Sequence, residues 1–325
     1  MRTPNGLPTA SRLQLALTCP ASQVLPVVDS EWSSGEAGRE KHTALAWRIV
    51  GPSAMPEALS ADTVAWLEAL DDATLEPLRG ARSEVAYAID TETGAARLLG
   101  YDLGRRYEQN SVEFAGSADY VRVDADAVTV VDLKTGMSET PHPARNAQLR
   151  FLALAAARVA GVASARVGLL LAPEGQTARW QWATLDAFGL EEVALELLRL
   201  AERIGYARRD VASGKPPRLT VGEHCGYCPA RHGCPARVAM VKRMAGEPEA
   251  VAMDLKAMLT PESASLALAR WRAAKKAVDE VGAALHAYAK ESPISLGDGR
   301  VWGPRTTTRE VIDADKAWPV LVAKY

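Results

Sequence analysis

Three of the chain's four cysteines fall in one short stretch, Cys225-Gly-Tyr-Cys228-Pro-Ala-Arg-His-Gly-Cys234, while Cys19 stands roughly two hundred residues earlier in Leu17-Thr-Cys19-Pro20. If the four thiols act together, any fold must return the first segment to the last. Four thiolates are what a tetrahedral metal or a cubane cluster requires. Disulfides are the ordinary alternative, but a chain without a secretory signal meets a reducing cytosol. Zinc usually draws its ligands in two close pairs, and one remote cysteine with a C-x2-C-x5-C triplet departs from that habit. His224 and His232 flank the triplet and keep a zinc site open.

The rest of the composition narrows the class of protein. The N-terminus follows Met1-Arg2 with Pro4, Asn5, Gly6 and Pro8 instead of an apolar core, and the longest apolar stretch, Phe151 to Ala172, is broken by Arg158 and Arg166. A cytoplasmic protein with no membrane contact is expected. With 325 residues the chain has room for one large domain or a core with an appendage. Its formal net charge of −2 does not announce a nucleic-acid binder, so any such contact needs a local patch. Residues 199–243 supply one: Arg199, Arg203, Arg208, Arg209, Lys215, Arg218, Arg231, Arg237, Lys242 and Arg243 face only Glu202, Asp210 and Glu223. Such a concentration is either a solvated helix and loop face or a surface for phosphates.

Hydrophobic periodicity predicts helices over 31–50 and 60–80, the second carried by Val64, Leu67, Leu70 and Leu75. Strands follow at Glu84–Ile89 and Ala96–Asp102, with a turn at Thr91–Gly94. A longer pair, Ser111–Val123 and Val128–Lys134, turns through Asp124-Ala-Asp126. A helix over Pro143–Ala160, strands at Arg166–Leu171 and Ala178–Thr184, and a helix over Glu191–Ala207 complete an α/β or α+β sheet with a crossover.

The acidic residues fall at particular places on that frame. Asp119 ends the stretch Gly116-Ser-Ala-Asp119, and Asp132 and Lys134 end Val130-Val-Asp132-Leu-Lys134. Alternation puts Asp132 and Lys134 on one face of their strand with Leu133 turned to the core, and pairing of the two strands sets Asp119 beside Asp132. Two carboxylates at one edge repel unless a divalent cation bridges them, and oxygen donors suit Mg²⁺ or Mn²⁺. Lys134 then offsets negative charge at a phosphorus. The competing reading is an exposed strand edge, and Glu84 is a further carboxylate open to either reading.

Taken in order, these motifs resemble the RecB-like PD-(D/E)xK nucleases, a group that includes CRISPR-associated RecB-like exonucleases, AddB-type nuclease domains and phage recombination exonucleases. Cys19-Pro20 is similar to the family's N-terminal cluster cysteine, and Gly38-Arg-Glu-Lys-His42 to the segment bearing a metal-binding histidine. Gly116-Ser-Ala-Asp119 resembles the first acidic motif, and Val131-Asp132-Leu-Lys134-Thr-Gly136 the second acid with its lysine. Gln148-Leu-Arg-Phe151 stands where the family has a DNA-facing Gln-x-x-Tyr, so the phenolic hydroxyl is lost, and the cysteine triplet closes the series.

The resemblance implies a restriction-endonuclease-like core sheet flanked by helices, with an iron–sulfur clasp joining the N- and C-terminal parts. It implies Asp119, Asp132 and Lys134 as catalytic residues. The metal falls to His42, Asp119, Asp132 and the Leu133 carbonyl, and a [4Fe–4S] cluster to Cys19, Cys225, Cys228 and Cys234, with Zn²⁺ the alternative. Gln148 faces DNA, and Arg208 and Arg209 of the basic segment join it as expected DNA contacts. The expected activity is that of an Mg²⁺- or Mn²⁺-dependent exonuclease acting on single strands or duplex ends in phage-type recombination or end processing. A weakened DNA-binding module or a zinc-stabilised scaffold are the alternatives. The nuclease domain is expected over 1–245 and a helix-and-hairpin appendage over 246–325. The appendage is read from a helix start at Thr260-Pro261-Glu262, a stripe of Trp271, Ala274, Val278, Val281, Leu285 and Tyr288, and a hairpin around Asp298-Gly299. That helix is a candidate surface for a recombination partner.

Overall fold

The computed structural model describes residues 6–27, 36–51, 59–104, 106–136, 140–222, 224–225, 228–231, 233–236, 239, 282–283, 285–296 and 299–304. The chain divides into two units, Met1–Val238 and Ala239–Tyr325.

The first unit is built on a six-stranded sheet: β1 (Arg82–Asp90), β2 (Ala96–Tyr101), β3 (Glu113–Val123), β4 (Val128–Lys134), β5 (Ala165–Leu171) and β6 (Arg179–Leu185), in the spatial order β2-β1-β3-β4-β5-β6. Neighbours run antiparallel except β4 and β5, which are parallel because a helix, α5 (Ala147–Ala160), carries the chain across between them. Strand β4 is buried along nearly its whole length, as its Val-Thr-Val-Val run requires of a strand covered on both faces. The strands read from alternation lie where expected, within about two residues at each end.

Each face of the sheet has its own apolar layer. One joins Val128, Val130, Val167 and Leu169 to α5, to α6 (Ala187–Ala212) and to the N-terminal helix α1 (Leu13–Thr18). The other joins Tyr120, Val131, Leu133 and Leu170 to α2 (Glu36–Val50), α3 (Ala61–Glu68) and α4 (Asp72–Leu75). The expected helix over 60–80 is broken into α3, α4 and a short 3-10 turn at Glu76–Leu78. The break has a local cause: Asp71 caps the new helix by accepting a hydrogen bond from Thr74 N, and Pro77 stands in the 3-10 turn that follows. Helix α5 starts later than expected. Pro143–Arg145 forms a separate 3-10 turn, and Asn146 caps α5 by accepting from Leu149 N. It ends at Gly161, whose φ of +72° is the left-handed closure that glycine supplies without strain.

In the second unit, residues 285–291 are helical, and β7 (Ile294–Ser295) pairs with β8 (Val301–Trp302). The helix meets the hairpin through His286, whose ring lies 4.5 Å from that of Trp302. The two described members of the apolar stripe, Leu285 and Tyr288, are 45% and 62% exposed. The stripe from Trp271 to Val281, the helix start at 260–262 and Asp298 lie outside the described residues. Among the described residues no helix is long and apolar enough to cross a membrane.

Candidate active site

Strand register brings the two aspartates together. Tyr120 pairs with Val131, so Asp119 and Asp132 fall side by side at the end of the β3–β4 ladder, on the sheet face that carries α5. Asp119 Oδ2 accepts a hydrogen bond from Leu133 N at 2.6 Å, which ties its carboxylate to the neighbouring strand. Leu133 itself turns the other way, into the second apolar layer, as alternation requires.

Helix α2 brings the histidine. Three successive residues of α2 face three different partners. Glu40 accepts hydrogen bonds from Ser60 and Thr63 at the start of α3, Lys41 forms a 2.7 Å ion pair with Glu174 after β5, and His42 Nδ1 stands 3.3 Å from Asp119 Oδ1. The first two contacts fix the helix, and the third is the result. Near its N-terminus Gly38 lies against Thr135, the residue that follows β4, at ordinary contact distance.

Asp132 is 2% exposed. Its Oδ1 accepts from Gln148 Nε2 at 3.1 Å, and Lys134 Nζ lies 2.6 Å from Oδ2. That second contact is a close ion pair, and among the described residues no other donor reaches the oxygen. Burial pushes the Asp132 carboxyl up to about 6, with the Asp119 charge adding to it and Lys134 and His42 only partly offsetting. Asp119 is also penalised by burial, yet the hydrogen bond and charge of His42, with Lys134 and Leu133 N–H, hold it below the usual carboxylate range. His42 moves in the complementary direction: burial opposes its charged form, but Asp119, backed by Asp132, raises its pKa above the ordinary value.

A carboxylate that stood undecided in the sequence joins this group. Ser83 pairs with Tyr120 and Val85 with Ala118, which sets Glu84 opposite Asp119 across β1 and β3. Glu84 has a φ of +49°, an uncommon value for a residue with a side chain, and such outliers gather where a side chain is re-aimed. Among the described residues His42, Glu84 and Asp119 form the one trio of histidine, cysteine or acidic side chains whose donor atoms all lie within 4.8 Å of one another. One nitrogen and two carboxylates in that space suit a divalent cation that prefers oxygen. Asp132 lies outside the trio, held by Lys134 and Gln148. Nothing in composition or periodicity separates Glu84 from an edge carboxylate; its register against Asp119 does.

All these groups open onto a cavity of about 860 Å³, together with Leu133, Gln148, Arg12 and Arg208. Arg208 faces it, although one guanidinium nitrogen donates to Gly6 O at 2.6 Å and burial lowers its pKa. Arg209 does not line the cavity and stacks over Tyr206 at 4.5 Å. Phe151 is wholly buried and meets Phe114 edge-on, so it belongs to the core and not to the cavity wall.

A pattern that spans most of this architecture decides its family: the PD-(D/E)XK nuclease superfamily matches residues 9–235. The chain belongs to that superfamily. No curated protein matches the sequence. Among solved structures, the crystal structure of SSO0001 is similar at 17% identity over 73% of this chain and 89% of the other, with a TM-score of 0.34, too low to carry an argument. As a PD-(D/E)XK nuclease the protein acts on nucleic acid with a divalent metal, and the His42–Glu84–Asp119 group fits such an ion.

The four cysteines of this PD-(D/E)XK nuclease are free thiols, and all four line a single small pocket away from the carboxylates. Burial pushes the Cys228 thiol up, and the other three cysteines add to the shift. No three of the sulfurs lie within 4.8 Å of one another. A tetrahedral zinc site with Zn–S bonds of about 2.3 Å would hold its sulfurs about 3.8 Å apart.

Proposed function

We propose that the protein is a metal-dependent DNA exonuclease whose active site is the cavity at the end of β3 and β4. The observation that carries this reading is the meeting of His42, Glu84, Asp119, Asp132 and Lys134 in one pocket, drawn from three strands and a helix. His42, Asp119 and Asp132, with Glu84 and the Leu133 carbonyl, are the groups that would hold Mg²⁺ or Mn²⁺. Such an ion supplies positive charge at the scissile phosphate and lowers the pKa of water. Lys134 stands over Asp132 and places a fixed cation where negative charge develops on the phosphoryl oxygens. Gln148 holds the Asp132 carboxylate in register and faces the strand. The choice of DNA ends, and of phage-type recombination or end processing, rests on the resemblance to the RecB-like exonucleases. The exposed Leu285 and Tyr288 of the proposed 246–325 appendage offer a surface to a recombination partner.

The cysteines are proposed to hold a [4Fe–4S] cluster that clasps Cys19 to the 225–234 segment. What supports it is that all four cysteines, the remote Cys19 included, line one pocket. A cleavage assay tests the active-site reading. Asp119→Ala and Lys134→Ala proteins should retain the fold by circular dichroism and lose cleavage of labelled oligonucleotides in Mg²⁺ or Mn²⁺. Wild-type rates in either variant would place the chemistry elsewhere.

A further inference from the structure

We infer that Arg12 is a phosphate-binding residue of the groove, gripping the backbone of the substrate strand beside the carboxylates. Arg12 closes a 3-10 turn, Ala10–Arg12, that runs into α1. That turn is seated on the sheet close to the active site. Thr9 bridges to Ala115 on β3, and Ala10 lies flat on Gly116, where any side chain would strike it. Asp119 is three residues further along the same strand. Gly116 thus permits the approach that places Arg12 on the wall of the cavity that holds Asp119, Asp132 and Lys134.

The partners of the cavity's cations separate Arg12 from the others. Lys134 is paired with Asp132, His42 with Asp119, and Arg208 donates to the Gly6 carbonyl. Arg12 Nη1 is shielded from solvent and meets no acceptor among the described residues. A shielded N–H without a partner is unfavourable by about as much as a lost hydrogen bond, and folded proteins rarely leave one. The planar guanidinium presents five donors in a fork that fits phosphate oxygens, and its charge strengthens each bond. A backbone phosphate entering the cavity would supply the acceptor that the protein withholds. Nothing in the sequence marked this residue: Arg12 sits outside the basic segment and between motifs.

The inference rests on the reading of this cavity as the nuclease site, and binding separates the two. In an Asp132→Asn background, which keeps the strand intact in Mg²⁺, binding of a fluorescent single-stranded oligonucleotide is titrated over a salt series. Adding Arg12→Ala should weaken binding about tenfold at fixed salt and reduce the log–log salt slope by about 0.7, the contribution of one phosphate contact on a single strand. Arg12→Gln keeps a polar amide donor on a shorter side chain but loses the charge, so it should flatten the slope in the same way. If the alanine protein fails to fold, the glutamine protein decides. Arg12→Lys should keep the slope and lose only part of the affinity. An unchanged slope in the folded Ala or Gln variant would overturn the assignment and leave Arg12 a packing residue. Failure of the nuclease reading would register separately, as a wild-type protein that binds the strand without cutting it.

Discussion

The Asp132 carboxyl is the clearest case in which the site works against the fold, and Asp132→Asn tests it. The side chain is almost fully buried and its pKa is pushed from an ordinary 3.8 to about 6 by burial first and by Asp119 second. The native state therefore holds a proton that the unfolded chain has already released. Below about pH 4 both states are protonated and there is no penalty. As pH rises from about 4, where the unfolded carboxyl ionises, to about 6, where the native one does, stability falls. Above that the loss is constant. A shift of this size at about 1.4 kcal/mol per unit corresponds to an order of 2–3 kcal/mol at pH 8. Asparagine has the same shape without the charge, and the Gln148 amide can turn to keep the 3.1 Å hydrogen bond. Lys134 loses its counter-ion but is one-third exposed, so its charge is left hydrated and not stranded. The variant should melt roughly 4–10 °C above wild type at pH 8 in EDTA, and the difference should vanish towards pH 4. Mg²⁺ should raise the wild-type melting temperature more than that of the variant, because only the wild type offers the ionised carboxylate to the ion. Equal melting temperatures at pH 8 in EDTA would refute the claim that this charge is held at the fold's expense.

Two further outcomes test the framework around the site. Protein purified without air should be brown and carry about four irons per chain, and Cys19→Ala should lose both the colour and the close seating of the N-terminal segment, read by limited proteolysis. Stoichiometric zinc with no iron would remove the cluster. Gly116→Ala should destabilise the protein by about 1–3 kcal/mol through the clash with Ala10, and the displaced turn should carry Arg12 away and weaken oligonucleotide binding. Wild-type melting and binding would show that the 3-10 turn is not seated on β3.

What the sequence made legible and what it hid divide along a physical line. Alternation is a local signal, and it placed the strands, the inward turn of Leu133 and the shared face of Asp132 and Lys134. A two-strand hairpin is nearly local, so the meeting of Asp119 with Asp132 followed from the turn at Asp124–Asp126. Glu84 needed a longer step, because its place opposite Asp119 depends on how β1 pairs with β3 across the thirty-four residues between Glu84 and Asp119 and on an uncommon backbone angle. The arginines show the limit of counting charges. Arg208 and Arg209 are neighbours in sequence, but successive helix positions point about 100° apart. One faces the cavity and the other stacks on Tyr206.

Much of the basic segment on α6 is also engaged within the protein. Arg203 donates to Leu17 O and Arg208 to Gly6 O, so both fasten α6 to the N-terminal segment that carries Arg12 and leads to Cys19. The same segment is pinned to β3 through Ala10 and Gly116, and its cysteine shares a pocket with the three from the far end of the unit. The concentration of charge that sequence reads as a track for DNA thus acts first as a fastening for the groove wall. Loss of Arg203 should act on DNA through the position of Arg12 and not through a phosphate of its own. In the binding series proposed above, Arg203→Ala added to Arg12→Gln should leave the salt slope where Arg12→Gln alone has put it. A second drop of about 0.7 would instead make Arg203 a separate phosphate contact and return α6 to the role of a track.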